Sequence, residues 1–229
     1  MKYIVAFSLA IIVSLSAVAQ TQKSSPEQPD IPGDISVDFG LTFLRNTQQF
    51  LESQAWPSRV VGLHYMYTHK LADKFTINPA LGVGMDRFGI QDNVNFQQDS
   101  SRVYQLDTIS GLALRKNLLT FSYLELPVEL RFYPFKTVQG EGFFLGIGGF
   151  AGLRIGSTTK VKYDFDNATR VEKQRGDYGI NQFRYGLQTH IGWKQFSIFS
   201  RIYLNDLFEN PPVGVNPRQI TFGINFTGF

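Results

Sequence analysis

The chain has 229 residues, no cysteine and a formal net charge of +3. The absence of cysteine excludes disulfides and thiolate metal sites, and the near-balance of charge excludes the dense basic face of a nucleic-acid binder. Aromatic residues at 14% together with 21 glycines fit strands that close on one another better than a soluble sandwich.

The first residues carry one positive charge, Lys2, ahead of an apolar run from Ile4 to Val18 that Ser8, Ser14 and Ser16 interrupt. Ala17-Val18-Ala19 follows the small-x-small rule of a cleavage site, so residues 1–19 read as a secretory signal peptide cut after Ala19. The run is too short and too rich in serine to span a bilayer. No Cys stands after the cut, so no lipid anchor is expected there. Without Lys2, 21 basic residues face 19 acidic ones, a net charge of +2. Residues 20–33 hold Pro26, Pro29 and Pro32 among polar residues and read as a flexible periplasmic linker. Residues 34–229 form one domain of a size common for barrels.

Eight segments of that domain alternate with a period of two, which places successive side chains on opposite faces of a strand. The first is Asp34 to Leu44, with Ile35, Val37, Phe39, Leu41 and Phe43 on one face. The second is Arg59 to Thr68 and the third Lys74 to Asp86. The fourth, Leu119 to Tyr133, is the longest unbroken example: Leu124, Leu126, Val128, Leu130 and Phe132 oppose Tyr123, Glu125, Pro127, Glu129, Arg131 and Tyr133. The fifth is Gly142 to Gly156, the sixth Gln182 to Trp193, the seventh Gln195 to Asn205 and the eighth Arg218 to Thr227. Connections run long, short, long, short, long, short, long. That rhythm, with a trim end and a busy end, predicts an all-β, eight-stranded antiparallel up-and-down transmembrane β-barrel with short periplasmic turns and long extracellular loops.

The apolar columns hold roughly forty residues, too many for the interior of an eight-stranded barrel. They therefore face lipid. The opposite columns carry Gly40, Gly62, Gly82, Gly84, Gly146, Gly148, Gly152, Gly156, Gly186, Gly192 and Gly223, which suit a narrow lumen. No charge falls between the first and last apolar members of any of these columns, as expected where Lys or Arg costs about 2–4 kcal/mol at mid-membrane. Tyr67, Phe75, Phe132, Phe143, Trp193, Phe196 and Phe226 gather at the trim end and predict an interfacial aromatic girdle. Pro79 and Pro127 lie inside strands, where a closed barrel has no edge, so each predicts a bulge or a lost ladder bond.

Tyr123-Leu124-Glu125-Leu126-Pro127, running on to Arg131-Phe132-Tyr133, resembles the central strand of the PorT-like outer-membrane β-barrel family of Bacteroidetes-type bacteria. Gly146-Ile147-Gly148-Gly149, Phe183-Arg184-Tyr185-Gly186-Leu187, Ile191-Gly192-Trp193 and Leu204-Asn205-Asp206-Leu207-Phe208 fit the same pattern. The resemblance implies an outer-membrane barrel in a Gram-negative cell and, as one role, accessory service in type IX protein secretion. Phe229 supplies the terminal aromatic that barrel-assembly machinery reads, although Phe226, Ile224, Phe222 and Ile220 lie in the other register.

In the lumen column, Glu125 and Glu129 are roughly 13 Å apart along the strand, beyond the roughly 5–9.5 Å of glycosidase pairs. They are expected instead in an internal ion network with Arg131, Arg154, Arg184 and Arg201, since a buried carboxylate needs a partner. Such a network plugs the lumen. Asp38, His64 and His190 also face inward. Neither histidine has a Ser or Thr neighbour of the kind a lipid-modifying enzyme needs, His69 lies in a turn, and three scattered histidines make no metal pattern. No catalytic site, metal or cofactor is expected. The expected partners are outer-membrane lipid, the assembly machinery and a secretion or envelope protein. The protein is expected to be a monomer. A lipid-modifying enzyme and a narrow pore remain the alternatives.

Overall fold

The computed structural model describes residues 32–45, 53–90, 94–98, 104–108, 113–135, 142–165, 168–209 and 216–228. The expected signal peptide, the linker up to residue 31 and the terminal Phe229 lie outside the described residues. Twelve strands are described: β1 Asp34–Arg45, β2 Ser53–Met66, β3 His69–Ala72, β4 Phe75–Ile90, β5 Val94–Gln98, β6 Tyr104–Thr108, β7 Ala113–Phe132, β8 Phe143–Phe165, β9 Ala168–Arg175, β10 Phe183–Trp193, β11 Phe196–Tyr203 and β12 Arg218–Thr227.

Eight of these close into a ring. Going round, β1 pairs with β2, then β4, β7, β8, β10, β11 and β12, and β12 returns to β1 through a ladder from Ser36↔Thr227 to Arg45↔Arg218. Every pairing is antiparallel. The alternating pattern is what closes the ring: one column of each strand is inside and the other outside, so there is no edge left to satisfy. The outward column is hydrocarbon. Leu126 is 53% exposed, Ile147 61% and Phe183 66%. Apolar exposure on this scale, all round a wall, is the surface of a protein solvated by lipid rather than water.

The short connections hold their positions. What was expected as a turn over His69 to Asp73 is the short strand β3, which continues the hairpin by pairing with β4. The busy end differs more. β4 runs on to Ile90, β7 begins at Ala113 and β8 reaches Phe165, so the wall rises well past the apolar band. β8 then folds back on β9, the hairpin that the Lys160 to Phe165 alternation suggests. β5 and β6 form a separate two-stranded sheet within what reads as a long polar loop.

Both in-strand prolines border one gap. Between Pro79↔Val128 and Gly82↔Glu125 the β4–β7 ladder has no paired residues, yet the register is the same on both sides. Proline lacks the N–H that a ladder needs, so bonds are lost here without a bulge. A bulge lies higher, between β7 and β8. Ser122 pairs with Gly156 and Tyr123 with Arg154, which leaves Ile155 as an extra residue in β8. A single extra residue reverses which side chains face in. Gly156, expected in the lumen column, is therefore exposed on the outside, and a Cβ there would meet nothing within 4 Å.

Candidate functional site in the barrel lumen

At membrane level the lumen is filled with charge. Asp38 on β1, His64 on β2, Asp86 on β4, Glu125 on β7, Arg184 on β10 and Arg201 on β11 all point inward and are buried. Arg184 Nη1 donates to Asp86 Oδ2 at 2.6 Å, and its Nη2 donates to Glu125 Oε1. The other Glu125 oxygen lies 2.8 Å from His64 Nε2 and 3.7 Å from Arg201 Nη1. Arg201 Nη2 donates to Asp38 Oδ2 at 2.6 Å, and its Nε to Gln188 Oε1 at 3.2 Å. His64 Nδ1 sits 3.6 Å from that same Asp38 oxygen. Six strands are thus cross-linked through one network. Amides complete it: Gln219 donates to Asp86 at 2.7 Å and Asn225 to Asp38 at 2.6 Å. The Arg184 guanidinium also lies 3.6 Å from the ring centroid of Tyr123, a cation–π stack in a desolvated site.

Glycine makes the room. A Cβ on Gly84 would stand 2.8 Å from Glu125 Oε2 and 2.9 Å from Arg184 Nη2. The network thus occupies the space that side chains on β4 would otherwise fill.

A second, smaller cluster lies nearer the short turns. Arg131 Nε donates to Glu129 Oε1 at 2.7 Å, and His190 Nδ1 lies 2.7 Å from Glu129 Oε2, within ion-pair reach though not aimed as a hydrogen bond. The Arg131 guanidinium stacks 4.4 Å from the Phe144 centroid. Together the two clusters hold four carboxylates and three guanidiniums, with each histidine against carboxylate oxygen. The cavities beside Arg184 and beside Glu129 each have room for only one or two water molecules. Chemically, the arrangement neutralises and braces.

Of the six residues expected in the ion network, the structure brings five into these clusters. Arg154 departs. It donates through Nη1 to the Asp177 carbonyl at 2.7 Å and to Ser157 Oγ at 3.1 Å, and pairs with the Asp177 carboxylate, above the network. Arg154 keeps the inward direction of Phe150 and Gly152 but stands one step higher, where the loop that carries Asp177 meets it. Asp86 and Gln219 are members that sequence reading missed. The signal for Asp86 was present: it continues the inward column of Gly82 and Gly84.

Above the ions the interior turns apolar. Phe88, Ile90, Leu119, Phe121 and Tyr123 point in from β4 and β7, and Tyr178, Ile180, Leu207 and Phe208 descend from the two loops that flank β10 and β11. The loops lock to each other through an Ile180↔Phe208 bridge, Asn181 N–H to the Leu207 carbonyl at 2.9 Å, and Glu209 N–H to the Gly179 carbonyl at 2.8 Å. This stopper was not foreseen, because its residues sit in long connections with no period of their own.

The seven girdle residues face outward, five of them well exposed and Phe132 and Phe143 half-buried. Phe143, Trp193, Phe196 and Phe226 are consecutive ladder partners across β8, β10, β11 and β12. Phe75 and Phe132 pair likewise across β4 and β7, with ring centroids 5.1 Å apart.

The family described as outer membrane protein beta-barrel domain matches residues 19–208. The chain belongs to that family. It is an outer-membrane β-barrel protein, and β12, beyond the matched residues, is the strand that closes its ring. Among solved structures it is similar to Ail, the attachment invasion locus protein of Yersinia pestis, at 12% identity over 86% of this chain and 99% of that one, with a TM-score of 0.37. It is also similar to the N-terminal β-barrel domain of OprF from Pseudomonas aeruginosa, at 10% identity over 86% and 98% of the two chains, TM-score 0.30. No curated protein matches.

Proposed function

We propose that this protein is a non-conducting, non-enzymatic outer-membrane barrel whose role is structural or interactive, exercised through its extracellular extension or its periplasmic face. The observation that carries the reading is the filled interior: an ion network at membrane level and an apolar stopper above it. An enzyme of the envelope needs a reactive group that lipid or solute can reach, and His64 and His190 are 3% and 4% exposed and turned to carboxylates. The reading includes export through residues 1–19, a linker over 20–33, a barrel over 34–229, insertion by the barrel-assembly machinery, an aromatic girdle at the periplasmic interface and a monomeric state. Planar-bilayer recording tests it. The expected result is no steady current; a sustained open-channel conductance overturns it.

Within that role, the PorT-like resemblance of residues 123–133 favours accessory service to type IX secretion in a Bacteroidetes-type bacterium. Deletion of the gene, followed by assay of secreted cargo, tests this finer reading, with lost secretion expected and normal secretion counting against it. Unchanged lipid A in the same strain is the outcome expected of a protein without lipid-modifying activity.

A further inference from the structure

On four neighbouring strands an arginine stands next after an apolar stretch of the outward column. Arg45 follows Phe43 on β1, Arg59 precedes Val61 on β2, Arg87 follows Met85 on β4, and Arg218 precedes Ile220 on β12, each two residues from that apolar side chain toward the long-loop end. These strands are consecutive round the ring in the order β12, β1, β2, β4. At the corresponding height β7 carries Ser122 and Thr120 and β8 carries Thr158, so the arginines mark one half of the rim.

The arginines also face one another. Arg45 is the direct ladder partner of Arg218, and Arg59 of Arg87. Side chains at such positions start about 4.5–5.5 Å apart at Cβ, and like charges there repel. One internal acid relieves this: Arg218 Nε donates to Asp206 at 2.9 Å. Among the described residues no acid pairs with Arg45, Arg59 or Arg87. Counted over the described residues, four guanidiniums less one carboxylate leave this patch at +3. Arg87 Nε is buried and without a hydrogen-bond partner among the described residues.

We propose that this half-rim binds the phosphate groups of lipid headgroups in the leaflet at the long-loop end, with each facing arginine pair clamping one phosphate. Height and direction identify the occupant. Two residues of strand carry the chain about 7 Å, so the guanidiniums sit just past the hydrocarbon, on the outer wall, where headgroups abut the protein. Charge identifies the chemical group. A guanidinium fork matches phosphate oxygens bidentately and stays charged, and a phosphate between two such forks turns a repulsive ladder pair into an attractive triple. The proposal requires only that the barrel sits in lipid; it does not depend on whether the lumen conducts.

The experiment uses the full barrel in zwitterionic detergent, titrated with a bis-phosphorylated glucosamine-disaccharide lipid and separately with the same lipid after dephosphorylation. Thermal unfolding is followed by far-UV circular dichroism. The phosphorylated lipid is expected to raise the midpoint at concentrations at least ten-fold lower than its dephosphorylated form, and R59Q/R87Q, which keeps only the Arg45–Arg218 pair, is expected to narrow that preference while keeping a folded barrel. Equal effects of the two lipids overturn the proposal. So does inorganic phosphate reproducing the shift at the same phosphate concentration, which marks a free-anion site. Should R59Q/R87Q fail to fold, the two-lipid comparison on the unaltered chain still decides.

Discussion

The barrel is two proteins stacked on one wall. In the membrane-level part, hydrocarbon faces out and charge faces in. In the extension above Asp86 and Tyr123, Phe88, Leu119 and Phe121 face in, while every residue of β9 is exposed. Both parts are built from the same ladders, and only the solvent differs. Lipid offers no hydrogen bonds and rewards a greasy wall, so the lower interior must satisfy itself with ion pairs. Water rewards the reverse, so the upper interior is an ordinary hydrophobic core. The difference teaches that inward and outward are fixed by the strand, whereas polar and apolar are fixed by depth.

The sharpest way to break this contrast is to treat the lower interior as if it were a core. Arg184→Leu leaves Asp86 and Glu125 without their principal partner, and uncompensated buried charge costs about 3–5 kcal/mol. The expected outcome is a lower urea midpoint for the whole barrel in detergent. An unchanged midpoint would mean the network contributes nothing to the fold. The corresponding cut in the upper interior is Phe208→Ala. Its loss of packing is worth about 3 kcal/mol, but it is expected to act locally, freeing the Ile180–Phe208 stopper while the ring stays closed. Protease should then cut near Asp206 at least ten-fold faster with the barrel's midpoint unmoved; a global loss of stability would show that the stopper and the ring unfold together.

Smaller changes refine the comparison. Gly84→Ala drives a methyl into the Glu125–Arg184 contact and is expected to cost about 1–3 kcal/mol, as overpacking does, while Gly156→Ala on the open outer face should be neutral. The smallest effect concerns pH, and it belongs to the extension. Asp164 is held below the usual carboxylate range by a hydrogen bond from Thr169 and by Arg115, whereas Tyr163 is raised by its hydrogen bond to Glu172. The Asp164 contribution is present above its unfolded value and is lost as pH falls through the folded one. The Tyr163 contribution is present below its unfolded value and is lost as pH rises through the folded one. Amide exchange in the β8–β9 hairpin should therefore be slowest on a plateau between these limits. A hairpin whose exchange, corrected for intrinsic rate, is flat across both limits would show that these contacts do not hold it.

Much of the lower part was legible because lipid enforces a strict code. Alternation located all eight ring strands, and the inward column of β7 named Glu125, Glu129 and Arg131. Gly156 was misplaced because one extra residue, Ile155, breaks the count, and nothing in Leu153-Arg154-Ile155-Gly156 marks a bulge; Arg154 faces inward as expected but meets Asp177 of a returning loop, which no strand period records. Asp86 and Gln219 were missed because each stands at the end of its expected segment, Lys74 to Asp86 and Arg218 to Thr227, where an inward column looks like the start of a loop. The stopper was illegible for a different reason: Tyr178, Ile180, Leu207 and Phe208 are brought together by chain return, and no local period records that.

The surplus residue in β8 has a reach beyond Gly156. It carries Ser157, Thr159 and Val161 to the inside and leaves Lys160 and Lys162 outside. Shorten the strand by that one amino acid and the two ammonium groups would be aimed at the Phe121 and Tyr178 side chains instead of at the medium. Tolerance to insertions and deletions at this end of the molecule should therefore depend on parity: even-numbered changes preserve which face is wetted, and odd-numbered ones invert it.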